Sequence, residues 1–460
     1  MTDKIIRGSG GPPPPPPKPT RAPDTLNSRQ FATIQDLLSE GEIEGFATPS
    51  KAGLTKGSTA YNNAALKDIF LNDTPILNAN ASNTSPGTAD FNFQNVGFTP
   101  RFGTSNQGHI PGIESSQSTT SVGVTVTNST PVTRQITNTN VDAAKVTITF
   151  PQLQKATDEG DLLGSTVDLK IQIQYNGGGF NDVLSDTITG RTADAYQKEY
   201  RVNLTGAFPV DVRVVRVTAD STSSNLVDSF SWTSLGEIVD DKQTYPNSAY
   251  TNLRIDSEQF SSIPRRAFRI RGVKVRIPGA GASNSGTPTV DLQTGRIIYP
   301  SGYIFNGTMG AAVWCSCPAM ILLDLLTTER YGFGTHITDA NLDLFSFVAA
   351  SRYANELVDD GFGGQEARFS CNVNLQGSME AYQLINELAG VMRCFPIWSE
   401  GSVTITQDRP TDPSYLFSLA NVGEGGFSYS GSSLKQRHSV ISVSYFNMDS
   451  REIDYEVVED

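Results

Sequence analysis

Between Lys145 and Asp220, apolar and polar residues alternate in four successive runs: KVTITF (145–150), VDLKIQIQY (167–175), AYQKEYRVNL (195–204) and VDVRVVRVTAD (210–220). Side chains of a strand point alternately to its two faces, so a period of two marks a strand with one buried face. Turn-rich stretches such as NGGGFND separate the runs. This spacing predicts a self-contained antiparallel β-sandwich of about a hundred residues, assigned to 121–235.

Strand patterning continues on both sides. In KDIFLNDTPIL (67–77), two short apolar runs flank Asn72-Asp73, a pair that tolerates positive φ and predicts a tight hairpin turn. Pro75 has no N–H for a ladder, which puts the second arm at a sheet edge. Residues 78–120 read as loop, rich in Asn, Ser, Thr and Gly and interrupted by FNFQNVGF (91–98). A second β region includes AFRIRGVKVRIPG (267–279), with a bulge expected at Gly272, and TGRIIYPSG (294–302).

Helical spacing comes later. Pro318 suits a first helical position, and the segment after it closes at Gly332. Thr338 is expected to cap a helix reaching about Glu356, with Leu342, Phe345, Val348 and Ala349 on one face. Ser378 is expected to cap a third, carrying Met379, Tyr382, Ile385, Leu388 and Met392. SVTITQDRP and SVISVSYFN then return to strand. The expected class is α+β with β dominant. Its parts are a Gly/Pro-rich leader (1–24), a first β part (25–120), the inserted sandwich (121–235), a continuation of the first part (236–300), an α+β part with three helices (301–400) and a β-rich end (401–460).

Length agrees, since 460 residues exceed what one core supports. The net charge of -13 and a pI near 4.8 repel nucleic acid, which argues against a nuclease or DNA packager. An acidic wall that DNA slides past is compatible with that charge. MTDKIIRGSGG has no apolar run of signal-peptide length, and MILLDLL (320–326), broken by Asp324, is too short to span a bilayer, so the chain is expected to be made and kept in a cytosol. The leader RGSGGPPPPPPKPT holds six consecutive prolines, a stiff polyproline II rod. It reads as a disordered leader more readily than as a docking arm for an aromatic groove, because it has little surface to bury.

Candidate chemistry is sparse. The three histidines, His109, His336 and His438, have no second His or Cys at ligand spacing, and Cys315, Cys317, Cys371 and Cys394 form no C-x-x-C. The four thiols are expected to be free and buried, against an iron–sulfur site, which would need all four to converge; no cofactor or metal is assigned. GLTKGST (53–59) has the residue types of a phosphate loop in the wrong order, and DGFGGQE (360–366) follows a helical segment instead of a strand. Both read as turns. No G-x-S-x-G is present.

Two charged stretches remain. RRAFRIRGVKVRI is the main positive cluster of an acidic chain, and its Arg269, Arg271, Lys274 and Arg276 are a candidate assembly interface for an acidic partner, against a plain solvated strand face. DLLSEGEIEGF (36–46) carries Glu40, Glu42 and Glu44 around Gly41, with Gly45 after them. A glycosidase needs two carboxyl groups facing across a sugar, usually from separate elements, whereas E-I-E on a strand sends both to one face. Gly41, Gly45, Asn72 and Asp73 are therefore read as structural turns, and the carboxylates as facing solvent or a neighbouring subunit.

Taken in order, SEGEIEGF, KDIFLNDTPIL, FNFQNVGF, SFSWTSLGEIVDDKQTYPNSAY (229–250), DSEQF (256–260), WCSCPAMILLDLLTTERYGFG (314–334), DGFGGQEARFSCNVNL (360–375), VMRCFPIW (391–398), ITQDRPTDP (405–413) and SSLKQRHSVISVSYFN (432–447) resemble the tail tip attachment, or host-specificity protein J, family of lambda-like long-tailed phages. The resemblance runs from about Asp24 to the end. It implies a baseplate-hub-like virion protein, not an enzyme. Three copies would close the distal end of the tail tube through β-barrel hub domains, with a fibronectin III-like sandwich projecting outward, and would open for DNA ejection. Implied partners are the distal tail protein ring, tail-tip assembly proteins including a separate iron–sulfur tip protein, and the tape measure protein; DNA would cross the lumen without specific binding. Implied location is the virion tail tip, assembled in the host bacterial cytoplasm. Family members continue for hundreds of residues beyond the point reached at DYEVVED, so host receptor binding is expected outside this chain. The competing readings are a cell-wall glycan hydrolase using Glu40, Glu42 or Glu44, and a carbohydrate-binding adhesin reading through the sandwich.

Overall fold

Trp232 and Leu235 are three residues apart, an odd spacing that would send one of them to solvent on a regular strand; both are buried. The strand Phe230–Asp240 carries a bulge between Trp232 and Ser234, which resets the alternation, and Trp232 Nε1 donates to Ser234 O at 2.8 Å. This strand belongs to the sandwich. In the computed structural model, which describes residues 19–28, 31–256, 259–260, 262–361, 363–377, 379–399, 401–433, 437–447, 450 and 452–459, the chain is β-dominant with fewer helices and divides into two units at residues 407/408.

Two four-stranded antiparallel sheets make the sandwich. One runs 181–190, 165–175, 210–216, 132–136; the other runs 196–203, 143–150, 230–240, 114–126. Val167, Leu169, Ile171 and Ile173 alternate inward from one sheet, and Val146, Ile148 and Phe150 from the other. Each such side chain contributes about 1.5–3 kcal/mol on burial. Residues 20–24, the described end of the expected leader, are tied to this domain: Ala22 N donates to Leu162 O at 2.9 Å and Leu162 N to Thr20 O at 2.9 Å. The cause is Arg191, only 2% exposed, whose buried guanidinium needs acceptors and takes Ala22 O at 2.7 Å and Asp24 Oδ1 at 2.5 Å. The polyproline run lies outside the described residues.

The frame around the sandwich is made by strands far apart in sequence. Ser248–Asp256 lies between Phe31–Glu40 and Gly97–Phe102 in a three-stranded sheet. The hairpin Ile69–Leu71/Thr74–Pro75 turns on Asn72 and Asp73 at φ 47° and 66°, with the Pro75 arm at the edge and Arg266–Phe268 on the other side. Phe46, Tyr61, Ile69, Leu71 and Leu253 form the core.

The β run expected over 267–279, with a bulge at Gly272, forms with Arg266 three short strands in three sheets. Arg266–Phe268 pairs with Ile69–Leu71, Ile270–Val273 with Ile43–Phe46, and Val275–Pro278 with Met309–Val313. Register is regular through Gly272. The partner changes fall at Arg269 and Lys274, whose amides donate to Asp68 O at 2.8 Å and Glu42 O at 2.9 Å.

The helical part follows. Pro318 opens the helix Pro318–Thr327, whose Leu322, Leu323 and Leu326 pack with Phe347 of the helix Leu344–Ala354. Thr338 caps only a short 3-10 turn, Asp339–Asn341. Leu342 is extended and bridges to Val403, so the helix restarts after Asp343, which caps it through Phe345 N and Ser346 N. The buried face is Phe347, Val348, Ala350, Ser351 and Ala354; Phe345 and Ala349 face outward. The last helix spans Ala381–Val391 with Glu380 at its N-cap, and the expected cap Ser378 lies outside the described residues. Leu388 and Met392 are buried there, while Tyr382 is exposed. No helix of the described residues is long and apolar enough to cross a membrane.

The second unit is described by itself. Among its described residues the regular structure is one hairpin, Val440–Asn447 against Glu452–Glu459. Every residue of the second strand is exposed.

Candidate functional site

Pairing of Ile43–Phe46 with Ile270–Val273 brings the acidic turn against the basic run. The acidic partner that the basic residues call for is supplied from within the chain. Lys274 Nζ sits 2.6 Å from Glu42 Oε1 and 3.8 Å from Glu44 Oε2. Arg269 Nε donates to Asp68 Oδ1 at 2.8 Å, and that carboxylate also receives Thr48 N at 2.6 Å and Thr48 Oγ1 at 2.8 Å. Asp68 is fully buried, and burial pushes its carboxyl above the ordinary value despite these donors. Arg276 grips Asp339 with two bonds of 2.7 and 2.8 Å, and Arg266 grips Asp36 at 2.6 and 2.8 Å.

Arg271 is the exception. It is 3% exposed, lies 4.2 Å over the Trp314 ring, and donates to Leu292 O. Such a residue is a packing element of the core, where a desolvated cation–π contact contributes about 2 kcal/mol.

Glu40 completes the turn. Its carboxylate takes Arg330 Nε and the Ser248 hydroxyl, the latter at 3.3 Å. All three glutamates are thus held by cations of distant segments, and Glu42 and Glu44 share one ammonium instead of facing each other across a cleft. Gly41 and Gly45 take φ of 99° and 130°. A Cβ on Gly45 would lie 2.2 Å from the Tyr61 hydroxyl, which accepts the Phe46 amide at 3.1 Å.

The four cysteines are free and buried. Burial raises the thiols of Cys315, Cys317 and Cys371, and Cys317 Sγ lies 3.1 Å from Ser351 Oγ. Among the described residues, no three His, Cys, Asp or Glu side chains are grouped to hold a metal ion.

Asp36, Asp68, Asp339, Arg330 and Trp314 escaped sequence reasoning. Each is an ordinary residue whose partner lies far along the chain, and nothing local to it marks the contact.

Residues 116–241 match the family description "Tip attachment protein J, FNIII-A domain". The tip attachment protein J of Escherichia phage SECphi27 is 30% identical over 447 residues, covering 97% of this chain and 34% of that protein. Its counterpart in Escherichia phage SECphi4 is 31% identical over 445 residues, covering 96% of this chain and 36% of that protein. The chain therefore spans about a third of the length of these relatives. Among solved structures, one titled "CBM4 structure and function" aligns with 40% of the chain at 11% identity and a TM-score of 0.13, too low to carry an argument.

Proposed function

Because this chain belongs to the tip attachment protein J family, we propose that it is a structural protein of a phage tail tip, and that three copies form the hub closing the distal end of the tail tube. The observation that carries this reading is the relationship along 97% of the chain, sandwich and frame together. The mechanism is mechanical: a closed ring opens when distal parts engage the cell, and DNA leaves through its lumen.

The charge distribution supports that role. A net charge of -13 gives a tube lining that does not trap passing DNA. The internal ion pairs lock the frame strands without presenting an acid–base pair to a substrate. Three copies arranged head to tail close after three rotations. The distal tail protein ring, the tape measure protein and the tip assembly proteins, one of them an iron–sulfur protein, are the partners proposed at its inner and upper faces. Receptor binding is assigned to regions outside this chain, and assembly to the host bacterial cytoplasm.

Imaging of purified particles, with this chain marked by a fused domain, tests the reading. Three marks around the tube axis at the distal end are expected. Marks along the tail shaft, at the head, or absent from the particle would overturn it.

A further inference from the structure

The chain passes between frame and sandwich at three places: after Ser28, at Ile113 and at Asp241. Two of these crossings are neighbours, since Asp241 N donates to Ile113 O at 2.7 Å. Two adjacent crossings make a hinge and by themselves leave the sandwich free to turn about it. The third is remote from them. Ser28 Oγ accepts Gln197 N at 3.0 Å, and Gln197 is in register with Thr149. The hinge lies at the other end of that strand, where Ala143 is in register with Ile238. Thr149 and Ala143 are six residues apart, about 20 Å of strand. On the frame side, the chain enters at Phe31, opposite Asp256, whereas it arrives from the hinge at Ser248, opposite Glu40. Ser248 and Asp256 are eight residues apart, about 27 Å of strand. Ser28 and Phe31, only three residues apart, can be separated by at most about 11 Å. The end of the sandwich away from the hinge is therefore held near the end of the frame sheet away from the hinge.

The segment before that third crossing is bound to the sandwich along its length. Thr20 N and Oγ1 donate to Asp161 Oδ1 at 2.5 and 2.9 Å. Thr25 N donates to Arg191 O at 2.9 Å, and Arg191 N to Thr25 Oγ1 at 3.1 Å. Leu26 packs on the sandwich core. Glycine at 190 permits this close approach, because a Cβ there would lie 2.6 Å from Thr25 Oγ1 and 2.9 Å from Leu26 Cγ. Between these contacts, the buried Arg191 guanidinium clasps Ala22 O and Asp24. The Asp24 side chain is 41% exposed, so the clasp is open to water on one side.

We propose that residues 19–28 are a strap that fixes the orientation of the inserted sandwich on the frame, with the paired crossings at Ile113 and Asp241 as the hinge about which the sandwich swings once the strap no longer holds. Docked, the strap adds a third tether far from the hinge line and removes the rotation that two adjacent tethers allow. Undocked, or joined to Phe31 by a longer connection, it leaves the folded sandwich free to turn as a body. The device belongs to the single chain and does not depend on the trimeric hub.

The test uses the full chain. Ala52→Cys in the frame and Ser185→Cys in the sandwich, both exposed, carry spin labels, the native cysteines being buried. Pulsed double electron–electron resonance reads the distance between them, and one narrow distribution is expected. Twelve Gly/Ser residues inserted directly after Ser28 form a spacer whose ends lie roughly 17–21 Å apart, and are expected to broaden the distribution at least about twofold. The insertion keeps every strap bond, so hydrogen exchange in the core strand Ser165–Tyr175 is expected to stay as slow as in the parent. Asp24→Ala with Leu26→Asp, which undocks the strap, is expected to broaden the distribution equally while that strand stays protected. Equal narrow widths in the parent and the insertion variant would show that the hinge and direct packing set the orientation, and overturn the strap. A parent as broad as the insertion variant overturns it as well.

Discussion

Lys274 holds Glu42 at 2.6 Å across 232 residues of sequence. That ammonium also lies within 3.8 Å of Glu44, so one side chain of the basic run neutralises two carboxylates of the acidic turn. Both groups are partly exposed, and partly exposed pairs contribute about 1 kcal/mol or less. Their value is in register, since a slip of one residue would separate Ile43 from Val273 and leave the charges facing the wrong way.

Glu42→Gln and Glu44→Gln should each keep the melting temperature within a few degrees of the parent, given the small worth of exposed pairs. Neither the parent nor the variants should clear bacterial cell walls in a turbidity assay. Clearing by the parent that disappears in either variant would restore the hydrolase reading.

Replacing Arg269, Arg271, Lys274 and Arg276 together by glutamate should prevent folding, not merely assembly. Three of the new carboxylates would face Asp68, Glu42, Glu44 and Asp339, the fourth would be buried beside Trp314, and leaving the buried Asp68 carboxylate without its cation costs about 3–5 kcal/mol, a large part of a domain's stability. Arg276→Gln alone should stay folded, because its pair with Asp339 is partly exposed. Thermal melts and gel filtration of the soluble fraction decide this; a folded fourfold variant would return the cations to the outer surface.

Gly45→Ala should be far more damaging than Gly53→Ala. Both positions have positive φ, where a side chain costs about 1–2 kcal/mol. At Gly53 the new methyl would meet open space, but at Gly45 it collides with the Tyr61 hydroxyl. Denaturant unfolding of the two variants should show Gly45→Ala with clearly the lower midpoint, and equal midpoints would contradict this packing.

The Arg276 bonds hold the Asp339 carboxyl below its ordinary value of 3.8. A carboxylate with a lowered native value stabilises the fold above its unfolded value and loses that contribution as pH falls through the native one. The melting-temperature gap between parent and Asp339→Asn should thus be constant near neutral pH and close below pH 3.8. A gap that persists into stronger acid would show that the pair is not its source.

The sandwich was legible because its signal is local: Val167, Leu169, Ile171 and Ile173 declare a buried face within one strand. The turn at Asn72-Asp73 and the helix start at Pro318 are local too. The division of the basic run among three sheets was not legible, for the opposite reason. Nothing near Arg269 or Lys274 says that Asp68 and Glu42 will cap each change of strand partner. The helix start moved from Thr338 to Asp343 because both residue types cap well, and the bridge from Leu342 to Val403 decided between them. Helical spacing then selected Phe345 and Ala349, one step off the face that Phe347, Ala350 and Ser351 bury.

The strand Ser248–Asp256 sits between Phe31–Glu40 and Gly97–Phe102. During synthesis, the outer two strands leave the ribosome long before the one that joins them. At a typical elongation rate, the wait from residue 102 to residue 256 is roughly 8–30 s. The sandwich is translated in that interval and can close on its own contacts. Nascent frame strands must therefore wait for their central partner until the insert has passed, which makes translation pace and chaperone cover the controls on how much of this protein reaches its folded state.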